Sequence, residues 1–271
     1  MKKYSSIIIC IILVVLGYTT TYSQEAKNKE SLVSFDVSAD LVSRYIWRGA
    51  QYGGSSPNIQ PNIALNIGNF QIGNWSSYSL GGNNFVQEFD FFLSYTFCKE
   101  MFSITLTDYY FPDDTANYNY YDYKNTETGH VLEGAFSFNG TEKIPIGVML
   151  AVNFYGADAI RLDDDPTSAD FNERTGIQYS TYAEISYSTN IKTVGFDAFL
   201  GLNLTNPKKE DISSGYLGES GYYGDNIGVV NIGLTASKAI PVTDKYEIPV
   251  SVSLITNPQA KKVYAVFAIS F

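Results

Sequence analysis

The chain ends on "VYAVFAISF" (residues 263–271), in which Val263, Ala265, Phe267, Ile269 and Phe271 hold alternate positions. A period of two puts these side chains on one face of a β-strand. In water an apolar strand at a free terminus is an edge that pairs with other chains. The ending therefore predicts that another strand of the same chain covers it.

The same alternation recurs upstream. From Val33 the odd positions read Val33, Phe35, Val37, Ala39, Leu41, Tyr45 and Trp47, against Ser34, Asp36, Ser38, Asp40, Arg44 and Arg48 on the even ones. Further strands are predicted around Ile59–Ile67, Phe70–Leu80, Phe85–Phe97, Phe102–Leu106, Leu132–Phe138, Ile144–Phe154, Ile177–Tyr187, Val194–Leu204, Val230–Ala236, Tyr246–Leu254 and Val263–Phe271. Trp75 breaks the parity of the Phe70–Leu80 strand. Twelve strands is an even number, as in single-chain bacterial outer-membrane barrels.

Connections after alternate strands are short, whereas 112–129, 156–176 and 205–226 are long and fall at the opposite end. Short periplasmic turns and long outer loops make this pattern, with both termini on the periplasmic side. Aromatic residues follow the same division: Tyr45, Trp47, Tyr110, Phe154 and Tyr179 at the outer end, Phe35, Phe70, Phe97, Phe102, Tyr187 and Tyr246 at the inner end. Two such girdles mark the two interfaces of a membrane. A secreted β-sandwich also alternates, but it has neither girdles nor systematic loop asymmetry. The expected fold is thus all-β, a transmembrane antiparallel up-and-down barrel of about twelve strands spanning 33–271, with the last strand closing on the first. Pro61 and Pro249 fall within strands and each removes one ladder donor, which suits bulges or rims.

The start, "MKKYSSIIICIILVVLGYTTTYSQ", has a basic end, an apolar run and small polar residues. It reads as a signal peptide over 1–23, followed by a short periplasmic lead over 24–32. Cys10 lies inside the apolar run, not after it, so it is no lipid anchor. Its loss with the peptide leaves Cys98 alone, without a disulfide or a Cys metal cluster. No mature stretch is apolar for the eighteen residues that a membrane helix needs. With 18 Lys and Arg against 28 Asp and Glu, the chain lacks the cationic surplus that nucleic acid demands.

"DLVSRYIWRG" (40–49), "TDYYFPD" (107–113) and the terminal Phe271 resemble porin-type outer-membrane proteins of Gram-negative bacteria, including the TorF-like group and outer-membrane proteins of Bacteroidota. The resemblance covers the mature chain in pattern and only these stretches in letters. It implies residence in the outer membrane, lipid as a partner, and insertion by the barrel-assembly machinery reading Phe271. It supplies no catalytic residue.

Enzymatic motifs are sparse. His130 is the single histidine; it falls on the lipid-facing parity, and Leu132 stands where an outer-membrane phospholipase needs its serine. "GESGYYGD" (218–225) lacks the lysine and helix of a phosphate loop and reads as flexible. Asp163, Asp164 and Asp165 are a weak calcium candidate or, more simply, a solvated loop. No enzyme activity and no cofactor are expected.

The inward parity carries Asp36, Asp40, Arg44, Arg48, Glu88, Asp90, Glu133, Glu184 and Asp197. So many charges need water or pairing. Two readings are open: a pore constriction with cations facing anions across the lumen, or structural salt bridges between strands. Twelve strands make a narrow lumen, and inward Phe92, Tyr155, Tyr182 and Phe199 narrow it further. The expected function is a porin-like channel for small hydrophilic solutes; the alternative is a closed barrel acting through its outer loops in adhesion or ligand binding.

Overall fold

The computed structural model describes residues 32–271 except 82–86, 113–118, 125–127 and 245. The expected signal peptide, nearly all of the 24–32 lead, Cys10 and Phe85 lie outside the described residues. The described residues form sixteen strands: β1 (Val33–Val42), β2 (Tyr45–Trp47), β3 (Ala50–Tyr52), β4 (Asn58–Ile67), β5 (Phe70–Ser79), β6 (Gln87–Phe97), β7 (Phe102–Tyr110), β8 (His130–Phe138), β9 (Ile146–Gly156), β10 (Ile160–Leu162), β11 (Arg174–Ile177), β12 (Thr181–Ile191), β13 (Val194–Asn203), β14 (Gly228–Thr243), β15 (Tyr246–Asn257) and β16 (Lys262–Ser270). Twelve form one closed antiparallel barrel; β2–β3 and β10–β11 are separate two-stranded ribbons.

The ends of the chain meet as their alternation requires. β16 pairs with β1 through Asp40↔Ser270, Leu41↔Ile269 and Val42↔Ala268. Phe271 then exchanges backbone hydrogen bonds with Ala39, 2.9 and 3.2 Å long. The seam covers Ala39–Val42 of β1, and Val33–Ser38 run past the end of β16, paired with β4 alone. Pro61 sits opposite Ala39 on β4. Its missing donor coincides with a gap in the β4–β5 ladder between the Ile59↔Tyr78 and Asn62↔Trp75 pairs. Pro249 lies one residue beyond the end of the β15–β16 ladder, at the rim.

Outward-facing apolar side chains are more than a third exposed on every barrel strand, among them Phe35, Ile63, Ile72, Leu93, Ile104, Phe136, Leu150, Ile185, Leu200, Leu234, Leu254 and Phe267. A continuous apolar exterior of this kind far exceeds what water-soluble monomers expose. The inner rim carries a file of rings in contact, Phe70–Tyr95–Phe97–Phe102–Phe136, with centroids 4.5 to 6.0 Å apart.

Several sequence expectations are corrected. The first strand stops at Val42, and Tyr45–Trp47 belongs to a hairpin with Ala50–Tyr52. The chain bends at Ser43–Arg44, and Arg48 and Gly49, both with positive φ, 48° and 79°, supply the type I′ geometry that closes a two-residue hairpin. Tyr45 and Trp47 therefore leave the outer girdle. Ile177 joins the loop ribbon β10–β11, so the eighth barrel strand starts at Thr181. Tyr155 turns away from the lumen, because a bulge displaces the register between Leu132 and Glu133; its hydroxyl donates to the Tyr123 carbonyl. Trp75 keeps its odd parity for a reason: it points inward and meets Tyr45 with ring centroids 5.4 Å apart.

Inward rings lie flat on glycines of the neighbouring strand. Phe92 is the cross-strand partner of Gly73 and Phe199 that of Gly233, and a Cβ on either glycine would overlap the ring. Gly233→Val is expected to cost roughly 1–3 kcal/mol, the usual penalty for overpacking. Urea titration in detergent should show the loss, and adding Phe199→Ala should recover part of it. Equal stability of Gly233→Val and wild type would contradict this packing.

Candidate functional site

The hairpin β2–β3 contacts strands all around the barrel. Tyr45 packs on Trp75 of β5 and Trp47 on Tyr109 of β7. Arg48 reaches Glu133 of β8. Gly49 abuts the Val230 carbonyl of β14 so closely that a Cβ has no room, and its own carbonyl accepts from Asn257 Nδ2 of β15 at 3.2 Å. A ribbon that touches opposite walls of a closed barrel lies across its bore. It shares no ladder with any wall strand.

Arg48 is the centre of the plug. Nη2 donates to Glu133 Oε1 at 2.9 Å and Nη1 to Glu133 Oε2, the bidentate fork of a strong ion pair. Nη1 also donates to the Tyr223 hydroxyl at 2.7 Å. The guanidinium carbon lies 4.4 Å from the Trp47 ring centroid, 4.6 Å from that of Tyr182 and 5.3 Å from that of Tyr223, within cation–π range. Burial alone would lower the pKa of Arg48, but the hydrogen bonds to Glu133 and the neighbouring hydroxyls hold it above its ordinary value. Burial, then Glu88, push the Tyr52 hydroxyl up to about 12.

Glu133 is held from three sides. Tyr109 donates to Oε1 at 3.0 Å and Tyr223 to Oε2 at 2.9 Å, besides Arg48. Asn153 Oδ1, 3.3 Å from the Tyr223 hydroxyl, is the longer alternative acceptor for the same proton. Glu184 accepts from Tyr182 and from Asn231 Nδ2. Glu88 and Asp90, two residues apart on the inward face of β6, are 2% and 4% exposed, and each keeps one buried oxygen without a hydrogen-bond partner.

Burial changes along the bore. Asn58, Ser77, Glu88, Asp90, Tyr109, Glu133, Asn153, Tyr182, Asn203 and Asn231, all in the outer half, are buried. Ser34, Asp36 and Ser38 at the inner end are exposed. The described outer half is therefore filled, and the inner half is a looser vestibule in which inward Ser94, Thr96, Thr105, Ser137, Asp197 and Thr235 are half-buried. A cavity of about 390 Å³ at the inner rim is lined by Asn66, Gln71, Ser94, Thr96, Glu100 and Asn139 among others.

Of the residues expected to line a pore, the fold joins Arg48 to Glu133 and puts Glu88, Asp90 and Glu184 in the same filled half. Asp36 lies in the vestibule, accepting from Asn66 Nδ2 at 2.6 Å. Asp40 is half-buried on β1, near the seam. Asp197 is half-buried on β13, opposite Thr235 and Ser188. Arg44 only donates to Gln51 Oε1 at 3.3 Å, within its own ribbon. Parity put Arg44 and Arg48 on a barrel strand; the bend at Ser43–Arg44 takes both off it.

Sequence reasoning passes over Trp47, Tyr222 and Tyr223. The signal for the first is "WRG", an X-Gly pair between alternating residues. Tyr223 sits in "GESGYYGD", expected to be flexible, yet it is 8% exposed and packed against Tyr182 and Trp47.

His130 keeps the outward parity of Leu132, but Tyr120 and Tyr123 cover it. It is fully buried, with Nδ1 2.7 Å from Asp108 Oδ1 and Nε2 2.8 Å from the Tyr120 carbonyl, and its ring stacks against Tyr110 and Tyr123. Among the described residues no group of three His, Cys, Asp or Glu could hold a metal ion. Asp163 accepts from Ser168 and from the Asp165 N–H, which hold its pKa low, and Asp164 pairs with Lys208. These carboxylates are occupied by their own loops.

A closed twelve-stranded barrel with an apolar exterior and a plugged outer bore is the class that these features define. Residues 26–153 match a family described as "Bacterial protein of unknown function (Gcw_chp)". No curated protein matches. Among solved structures, Wzi of Escherichia coli aligns over 80% of this chain and 52% of its own, at 10% identity and a TM-score of 0.30. Wzi is described as an outer membrane protein involved in group 1 capsule assembly and a carbohydrate binding β-barrel. The chain spans about half the length of that structure. None of these matches bears on the TorF-like type.

Proposed function

We propose that this protein is an outer-membrane β-barrel of a Gram-negative bacterium, a porin-like passage for small hydrophilic solutes that the β2–β3 hairpin holds shut in the form described. The exterior supports the membrane reading: apolar side chains circle the barrel. Lipid is then the partner of the outer face. Phe271, with its backbone in the seam and its ring 61% exposed, is available for the barrel-assembly machinery to read. No covalent chemistry is assigned to it.

The observation that carries the gate is the contrast between a buried outer bore and a half-buried inner one, produced by a ribbon without ladder bonds to the wall. No strand pairing holds it, so it can move while the barrel stays whole. Liposomes carrying wild-type barrel are expected to exclude small sugars and those carrying Arg48→Ala to admit them. A folded variant as impermeable as wild type favours the second reading, a permanently closed barrel acting through its outer loops in adhesion or ligand binding. That reading draws on the ordered ribbon β10–β11 and on Glu219, which ties Leu162, Lys208 and Tyr216 together among the loops.

The membrane reading has its own test. Leu150 lies near the middle of β9 and is 45% exposed outward. Leu150→Arg is expected to cost roughly 2–4 kcal/mol in lipid, as a cation at the bilayer midplane does. The measurement is urea-dependent folding into vesicles. An unchanged midpoint, or a chain that folds in buffer without detergent and lacks heat-modifiable migration, would remove lipid from the account.

A further inference from the structure

Arg48 sits in surroundings suited to a bound ligand. The walls supply the Tyr182 ring, the bidentate carboxylate of Glu133 and the Tyr109 hydroxyl, and the 204–227 loop supplies Tyr223; the hairpin supplies the cation. Aromatic faces with a buried carboxylate are the recognition chemistry of guanidinium and alkylammonium groups. The charge count in the same compartment is uneven. Arg48 is the cation that the described structure puts among Glu88, Asp90, Glu133 and Glu184, and Glu88 and Asp90 each retain an unpartnered buried oxygen. A buried carboxyl oxygen without a donor is met either by a proton or by further positive charge, and a cation seated there would meet both.

We propose that the outer bore is a binding compartment for small organic cations, guanidinium compounds foremost, and that Arg48 is its built-in occupant, excluding them while the hairpin is seated. The inference rests on the plug reading above and names the solute class of that passage. When the hairpin leaves, Trp47 and Arg48 leave with it, while Glu133, Tyr109, Tyr182 and Asn153 remain on the wall with the acidic pair of β6 nearby. The bore then favours cations over anions, and planar cations that fit the Glu133 fork over sodium.

The test is chemical rescue of Arg48→Ala in the full chain, refolded in detergent and checked by heat-modifiable migration. Guanidinium chloride at millimolar concentration is the probe, with sodium chloride at equal ionic strength as control. The variant is expected to lose thermal stability and to regain most of it, saturably, with guanidinium and not with sodium. Wild type, its cage filled, should not respond. A folded variant that ignores guanidinium, or that responds equally to sodium, overturns the proposal. Should Arg48→Ala fail to fold, a chain with Tyr45–Tyr52 replaced by a Gly–Ser linker takes the same titration: saturable stabilisation by guanidinium alone supports the site, and no response or an equal response to sodium overturns it. Conductance of that chain tests the plug separately, so a silent barrel that still binds guanidinium would sink the gate and keep the site.

Discussion

Replacing Tyr45–Tyr52 by a short Gly–Ser linker is expected to convert a barrel that is silent in planar bilayers into one that conducts in discrete steps. The replacement leaves the wall intact, because β2 and β3 pair only with each other and all twelve ladders of the barrel are made elsewhere. It removes the Tyr45, Trp47, Arg48 and Tyr52 side chains, which close the outer half. What remains inward on the outer wall, beside the rings of Trp75, Tyr109 and Tyr182, is polar: Asn58, Gln60, Ser77, Glu88, Asp90, Glu133, Asn153, Asn203 and Asn231. Such a lining holds water once space is available. A variant with native heat-modifiability and no conductance above wild type would mean that the remaining bore, or the 204–227 loop with Tyr222 and Tyr223, closes the barrel unaided.

The largest stability effect is expected at Glu133. Glu133→Ala leaves the Arg48 guanidinium buried without its carboxylate, and breaking a buried pair in this way costs roughly 3–5 kcal/mol. Arg48→Met should cost less, because a carboxyl can take up a proton when its partner is gone, while a guanidinium cannot release one. Removing both, as Arg48→Met with Glu133→Leu, should recover most of the loss. Urea unfolding of the four chains in one detergent, read by tryptophan fluorescence, gives the cycle. Equal costs for the two single variants would mean that the pair is hydrated and the bore open to water. If Glu133→Ala is instead near neutral because the hairpin is expelled, the same chain should conduct, which ties the two measurements together.

How much of this is legible in the letters differs by element. Strand identity is legible because alternation is local: a residue facing apolar surroundings is apolar whatever its partner, so Phe91, Leu93 and Tyr95 of β6 can be read without knowing β7. Loop asymmetry is legible for the same reason. The site is less so. Tyr45 and Trp47 continue the odd alternation of β1 without interruption, and parity runs straight through a turn whose evidence is Gly49 after Arg48. Trp75 is the clue in plain view, since its odd parity makes sense only if something inside the barrel meets it. Tyr155 shows the converse failure, where one bulged residue reverses every inference downstream of it.

By itself, then, the sequence determined the closed sheet: its twelve strands, the side of each that faces outward, the end that carries the long loops, and the pairing of the last strand with the first. Only the tertiary structure decided what occupies the bore, that Arg48 and Glu133 meet, and that His130 lies beneath tyrosines. The physical reason is one of range. A strand's apolar face answers to its immediate surroundings, residue by residue, whereas the filling of a lumen depends on which distant loop can reach it and which charges it brings together, and no periodicity encodes that.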